Sequence, residues 1–296
     1  MSHSQPHHCY TCYIFLILLL AMVSLQSVDV HAQPNPGIDP CTRAMAEMGT
    51  PAAIGTPDAA ANRLAVMQSV MNFASCFNRH NWDGVLAMTD PDFRESFLGA
   101  STDEEARTRL DALVLRGLLP EIRIQSIEED GATGPQFATV TVTWQGWNAL
   151  HREAWRLQST GSAWILSGRS IDKPPVSGAA VGLQLTIGED TLMAPVSEVV
   201  NPGTVIFAFD NQRSNPVTAL VIAVEPDATS TDVLESCNER NTPLQPVGSV
   251  SLEPGAAVYL PLMDLPPGRY AALAGPDPCM TPESTSIQVV IVDVLG

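Results

Sequence analysis

The chain has 296 residues, of which 45% are hydrophobic, and its 15 Lys and Arg face 32 Asp and Glu for a formal net charge of −17 at pH 7. That length and apolar share are enough for sizeable cores in about two domains, which excludes a disordered or fibrous chain. The acidity repels phosphate backbones and anionic lipid surfaces, so the composition points to no nucleic-acid partner.

Ile14 to Leu25 form an uncharged apolar run. Its length is that of a signal-peptide core and too short for a bilayer core of ~30 Å. Val30-His31-Ala32 supplies small residues at both recognition positions, so residues 1–32 read as a signal peptide cleaved before Gln33. No Lys or Arg precedes the run, and a retained N-terminal membrane anchor is the alternative. His7, His8, Cys9 and Cys12 resemble metal-site lettering but lie in the segment that cleavage removes. Cleavage leaves Cys41, Cys76, Cys237 and Cys279, two in each half. An even count in an exported chain reads as disulfides. The pairing that keeps each bridge within its half is Cys41–Cys76 and Cys237–Cys279, each worth ~4 kcal/mol in the chain-entropy model.

Residues 33–58 are rich in Pro, Gly and Ala and read as an extended N-terminal arm, with a short helical stretch at Cys41–Met48. From Ala59 to His80, Leu64, Met67, Val70, Met71, Ala74 and Phe77 recur at helical spacing and predict one buried face. Trp82–Met88 predicts a second short helix with Asp83 near its start, where a carboxylate suits the dipole. Thr102 or Ser101 can cap a third helix, with Glu104 and Glu105 in its first turn and Leu110, Leu113, Val114 and Leu118 on its buried side. After Pro120 the period changes to two. Residues 121–129, 136–145, 149–159 and 163–171 alternate as strands between Gly131, Gly134, Gly146 and Gly161. Three helices on a curved antiparallel sheet make an α+β cone.

Phe77–Phe93 (F-N-R-H-N-W-D-G-V-L-A-M-T-D-P-D-F) and Gly161–Ile171 (G-S-A-W-I-L-S-G-R-S-I) carry a resemblance to SnoaL-like, nuclear-transport-factor-2-like domains, across residues 59–172. The resemblance implies a sheet wrapped around a pocket roofed by helices. It also implies homodimerisation through the open sheet face. Its members include isomerases, cyclases and dehydratases beside many with no catalysis, so fold implies little about chemistry. Acid–base catalysis there needs a pocket carboxylate or histidine. The candidates are His80, Asp83, Asp92, His151 and Glu153. By alternation His151, Glu153 and Trp155 share one strand face. That face points into the pocket, or else outward with Leu150 and Ala154 inside. Asp92 matches an acidic residue common after the family's second helix, and it also suits the start of a strand. His80 suits the dipole at the end of the first helix. No dyad of family-specific spacing emerges. Trp144, Trp155 and Trp164 are expected in the core and on the pocket wall.

Asp172–Gly178 contains Lys173-Pro174-Pro175, and residues 173–178 read as a short, stiff linker. Beyond it helix signals vanish. Runs at 181–187, 198–200, 204–211, 218–224, 249–252, 256–260, 268–274 and 286–294 predict a β-sandwich over residues 179–296. Asn201–Asn211 (N-P-G-T-V-I-F-A-F-D-N), Leu265–Ala274 (L-P-P-G-R-Y-A-A-L-A) and the final I-Q-V-V-I-V resemble cupredoxins. By that resemblance the copper histidine would fall near Val217 or Thr218 and the copper cysteine near Ala274. No histidine follows His151. Blue copper needs two imidazoles and a thiolate, so no metal and no cofactor is expected. The sequence therefore points to an exported, copper-free, non-catalytic protein that binds a small apolar ligand or presents an interaction surface. An isomerase or cyclase acting through His151, Glu153 or Asp92 is the alternative.

Overall fold

The computed structural model describes Cys41 and residues 59–129, 136–161, 163–174, 180–200, 203–239, 242–280 and 287–296. The expected signal peptide, the arm apart from Cys41 and most of the linker lie outside these residues.

Four helices open the described chain: α1 (Ala59–Asn78), α2 (Trp82–Ala87), α3 (Pro91–Leu98) and α4 (Asp103–Leu115). The buried face of α1 is Val66, Val70, Phe73, Ala74 and Phe77, while Leu64, Met67 and Met71 stand exposed. Of the expected stripe Val70, Ala74 and Phe77 are buried, while Leu64, Met67 and Met71 lie on the outer face, and Val66 and Phe73 complete the inner one. Cys76, also on the inner face, is bonded to Cys41. Asn81 caps α2 by accepting from the Gly84 N–H. Helix α3 replaces the strand start expected at Asp92. Asp90 accepts from the Phe93 N–H, Pro91 occupies the first turn, and Gly99 at φ 66 ends the helix. In α4 the capping box is complete: Thr102 accepts from Glu105 N–H, and the Glu105 carboxylate accepts from Thr102 N–H. Ala106 and Leu110 are its buried residues, and Val114 is exposed rather than inward.

Strands β1 (Arg123–Glu129), β2 (Phe137–Gly146), β3 (Ala149–Ser159) and β4 (Trp164–Asp172) pair antiparallel in sequence order. Helices and sheet close on one apolar cluster that includes Phe73, Phe77, Phe93, Trp155 and Leu157. Phe73 meets Phe93 and Trp155 edge to face, with centroids 5.5 and 5.6 Å apart. Such pairs add to plain area burial.

Nine further strands follow: β5 (Ala180–Ile187), β6 (Leu192–Met193), β7 (Glu198–Val200), β8 (Thr204–Asn211), β9 (Val217–Val224), β10 (Pro246–Leu252), β11 (Ala257–Met263), β12 (Gly268–Gly275) and β13 (Gln288–Leu295). They form the β-sandwich that the resemblance to cupredoxins implies. One sheet runs β11-β8-β5-β6, the other β10-β9-β12-β13-β7. Leu183, Phe207, Phe209 and Leu262 from the first meet Val217, Val221, Tyr270 and Val292 from the second.

A fifth helix, α5 (Ser230–Asn238), stands where no helix was expected. Thr229 and Asp232 close its capping box. With Val233 and Cys237 it covers the outer face of the second sheet at Leu220, Ile222 and Leu273. Cys237 is bonded to Cys279. Burial on both faces explains the apolar runs Ala219–Val224 in β9 and Tyr270–Ala274 in β12.

The helical half and the sandwich are continuous. Ala149 at the start of β3 pairs with Leu262 of β11, extending the first sheet to eight strands. Asn148 N–H donates to Val247 O (3.1 Å) and Asn148 O accepts from Met263 N–H (2.7 Å). Gly248 sits against this seam. A Cβ there would lie 2.6 Å from Leu262 Cδ2 and 2.9 Å from Ala149 Cβ, so only glycine fits without a shift. Among the described residues, no helix is long and apolar enough to cross a membrane.

Candidate functional site

A cleft of about 680 Å³ opens between the helical half and one end of the sandwich. Its walls come from Phe77 of α1, α3, the second half of α4 and the turn after it, β2, β3 and β4 on one side. The start of β9, β10 and the turn at Pro276-Asp277 form the other. Three expected residues lie on it: His151, Glu153 and Asp92. Trp144 lines it as well. Trp155 and Trp164 do not. Both are buried in the helical half's core, which corrects the expectation that they line a pocket. There the rings of Phe73, Phe93, Phe97 and Trp155 fill the space under the helices.

Alternation along β3 turns Glu153 and Trp155 inward and leaves Leu150 and Ala154 half-buried. Glu153 is 2% exposed. Its Oε2 accepts from Trp155 Nε1–H at 2.7 Å and its Oε1 from Arg169 Nη1–H at 3.1 Å. Arg169 also donates through Nε–H to Ser96 O (2.9 Å), and its guanidinium lies 5.0 Å from the Phe97 centroid. Each carboxylate oxygen is thus held by one donor, a neutral indole N–H on one side and a guanidinium on the other.

His151 stacks face to face on Trp144, centroids 4.0 Å apart at 14°. Burial, against the opposing field of Glu153 and together with that of Arg169, lowers its pKa to about 4. The imidazole is therefore neutral at pH 7. Among the described residues neither ring nitrogen has a hydrogen-bond partner, so the stack on Trp144 fixes the plane of the ring and no acceptor fixes its tautomer, as a general base requires.

Asp92 stands exposed in the first turn of α3. Asp83 is ion-paired to Arg107. His80 does not end α1 but follows it at φ 56, stacked 5.3 Å from Trp82. Neither Asp83 nor His80 lines the cleft. Residues that sequence reasoning missed are Arg109 and Asp277, which form an ion pair across the cleft, and Arg169. Arg169 was readable in part: β3–β4 pairing in a meander sets it opposite Trp155.

The copper positions implied by the cupredoxin resemblance do come side by side. Thr218 pairs with Gly275 and Ala219 with Ala274. No imidazole or thiolate stands there, and both sandwich cysteines are in the disulfide. Among the described residues, no group of three or more His, Cys, Asp or Glu is placed to hold a metal ion. The donor set does not fit copper.

No protein-family model matches the chain, and no curated protein matches it. Similar solved structures include a dithionite-reduced auracyanin from Roseiflexus castenholzii, at 18% identity over 40% of this chain and 100% of that one, TM-score 0.28. Auracyanin A, a "blue" copper protein from Chloroflexus aurantiacus, is 13% identical over 39% of this chain and 99% of that one, TM-score 0.28. The McoA multicopper oxidase of Aquifex aeolicus is 10% identical over 51% and 42%, TM-score 0.24. At those TM-scores the likeness carries no argument, and the functional reading rests on this chain's own side chains.

Proposed function

We propose that this is an exported, copper-free protein that holds a small molecule in the cleft and performs no chemistry on it. In this reading residues 59–172 are a SnoaL-like domain and residues 179–296 a metal-free cupredoxin-like domain. Four helices over an antiparallel meander agree with the first assignment. Two disulfides agree with an oxidising compartment.

The observation that carries the reading is the state of the ionisable groups on the cleft wall. Glu153 is engaged by Trp155 and Arg169, Arg109 by Asp277, and His151 is neutral, with no hydrogen-bond partner among the described residues. A general base needs a free, positioned lone pair within reach of a substrate proton. Both Glu153 oxygens are engaged, Oε2 by Trp155 and Oε1 by Arg169, so taking up a proton there breaks into the ion pair, and an imidazole with a pKa near 4 is a weak base at neutral pH.

Native mass spectrometry of the protein purified from its own host's secreted or envelope fraction tests this. Expected is a reproducible added mass of small-molecule size, absent from a Ser251→Trp variant, whose exposed side chain points the new indole into the cleft. A bare polypeptide in both forms overturns the binding reading. Conversion of the bound molecule to a product, lost in His151→Phe or Glu153→Gln, overturns the non-catalytic one.

A further inference from the structure

The cleft wall mixes apolar and charged side chains, and the charge is one-sided. Five acidic side chains line it, Asp92, Glu95, Glu153, Glu253 and Asp277, against two basic ones, Arg109 and Arg169. Both arginines are neutralised in place: Arg109 pairs with Asp277, and Arg169 with the buried Glu153. His151 adds no positive charge at neutral pH, since burial lowers its pKa to about 4. Asp92, Glu95 and Glu253 remain, exposed and without an ion pair among the described residues. They come from both banks: Asp92 and Glu95 from α3, Glu253 from just beyond β10. Carboxylates at a cleft with low-dielectric walls focus a negative potential that concentrates cations.

A second observation concerns the wall itself. Trp144 is 4% exposed, and its indole N–H is buried with no hydrogen-bond partner. A buried unpaired donor costs free energy that an incoming acceptor relieves.

Building on the binding reading above, we infer that the cleft takes a cationic amphiphile: an apolar body of aromatic size with a hydrogen-bond acceptor, carrying an amine or quaternary ammonium held near Asp92, Glu95 and Glu253. An anionic molecule of the same size is rejected, because among the described residues no unpaired cation on the wall receives it.

Fluorescence titration with three dyes tests this on the full mature chain: thioflavin T (cationic), N-phenyl-1-naphthylamine (neutral) and 1-anilinonaphthalene-8-sulfonate (anionic). Thioflavin T is expected to bind one site at least about tenfold more tightly than the anionic dye. The Glu95→Gln/Glu253→Gln double variant weakens thioflavin T by about tenfold and leaves the neutral dye unchanged. Ser251→Trp abolishes binding of both, with unfolding midpoints confirming that each variant is folded. Equal binding of the anionic dye, or no effect of the double variant on thioflavin T, overturns the charge inference while leaving the cleft as a binding site. Thioflavin T binding that survives Ser251→Trp places the dye on the acidic surface and overturns it too. Failure of all three dyes removes the binding reading and this inference with it.

Discussion

Glu153 and Arg169 are costly to disturb singly, because each is the other's compensation in a place with little water. Their side chains are 3% and 10% exposed, respectively. Removing one partner of such a pair leaves a buried uncompensated charge, and the cost is about 3–5 kcal/mol. Glu153→Leu and Arg169→Met should each show that loss in urea unfolding. The double variant should lose less than either, since it removes both desolvation penalties together. Single variants within about 1 kcal/mol of the native chain would mean that water reaches the pair. The neighbouring His151 makes a separate statement about pH. Its pKa falls to about 4 on folding, below the value near 6.5 of an unfolded histidine. The unfolded chain therefore takes up this proton first as pH drops. The stability that neutral His151 allows is complete above pH 6.5 and is lost progressively as pH falls towards 4. The ring keeps some solvent contact, so the loss is about 3 kcal/mol at most. His151→Phe should flatten the fall in unfolding free energy between pH 6.5 and 4.5. An NMR titration placing the native His151 near 6.5 would refute this.

At the scale of elements, the clearest single-site prediction belongs to α5, whose box is closed by Thr229 and Asp232. Thr229→Ala removes the acceptor for the Asp232 N–H and should cost about 1 kcal/mol in thermal or urea unfolding, with Thr229→Ser restoring it. That box was readable as Thr-Ser-Thr-Asp before an apolar pair, yet the surrounding punctuated runs suggested only strands. Helix α3 was missed in the same way. Asp90, Pro91 and Gly99 are a start, a first turn and a stop, but eight residues are too few for periodicity to show. The strands were legible because turn residues bound them and because β2 and β3 alternate. Helix α1 was legible as a helix and only in part in its phase. Val70, Ala74 and Phe77 of the expected stripe are buried with Val66 and Phe73, while Leu64, Met67 and Met71 form a second, outer apolar stripe. Periodicity cannot choose between two such stripes without knowing where the sheet lies. The cleft was illegible for a different reason: Arg109 meets Asp277 from 168 residues away, and no local pattern encodes that meeting.

The whole molecule should unfold as one unit, although its sequence reads as two halves with a proline linker between them. The seam has a covalent-length logic only at that linker, and everything else that joins the halves is packing and hydrogen bonding. The first sheet passes through Ala149 and Leu262. Leu118, beyond the end of α4, is buried against Leu220, Leu273 and α5 on the sandwich's outer sheet. Beside it Arg116, 5% exposed, donates to the carbonyls of Ser236, Cys237 and Glu239, closing the C-terminal end of α5 from the other half of the chain. A helix whose last carbonyls are satisfied by a foreign guanidinium cannot separate from it without exposing them. Calorimetry of the native chain should therefore give a single transition with equal calorimetric and van't Hoff enthalpies. Arg116→Ala leaves buried carbonyls without their charged donor and should cost about 1.5–3 kcal/mol. Combined with Leu118→Ala, which removes the apolar plug at the same place, it should resolve the melt into two transitions, the sandwich and the helical half each on its own. Two transitions in the native chain would mean that the seam transmits little. The cleft would then be a gap between independently stable bodies rather than a site whose walls hold one another in place.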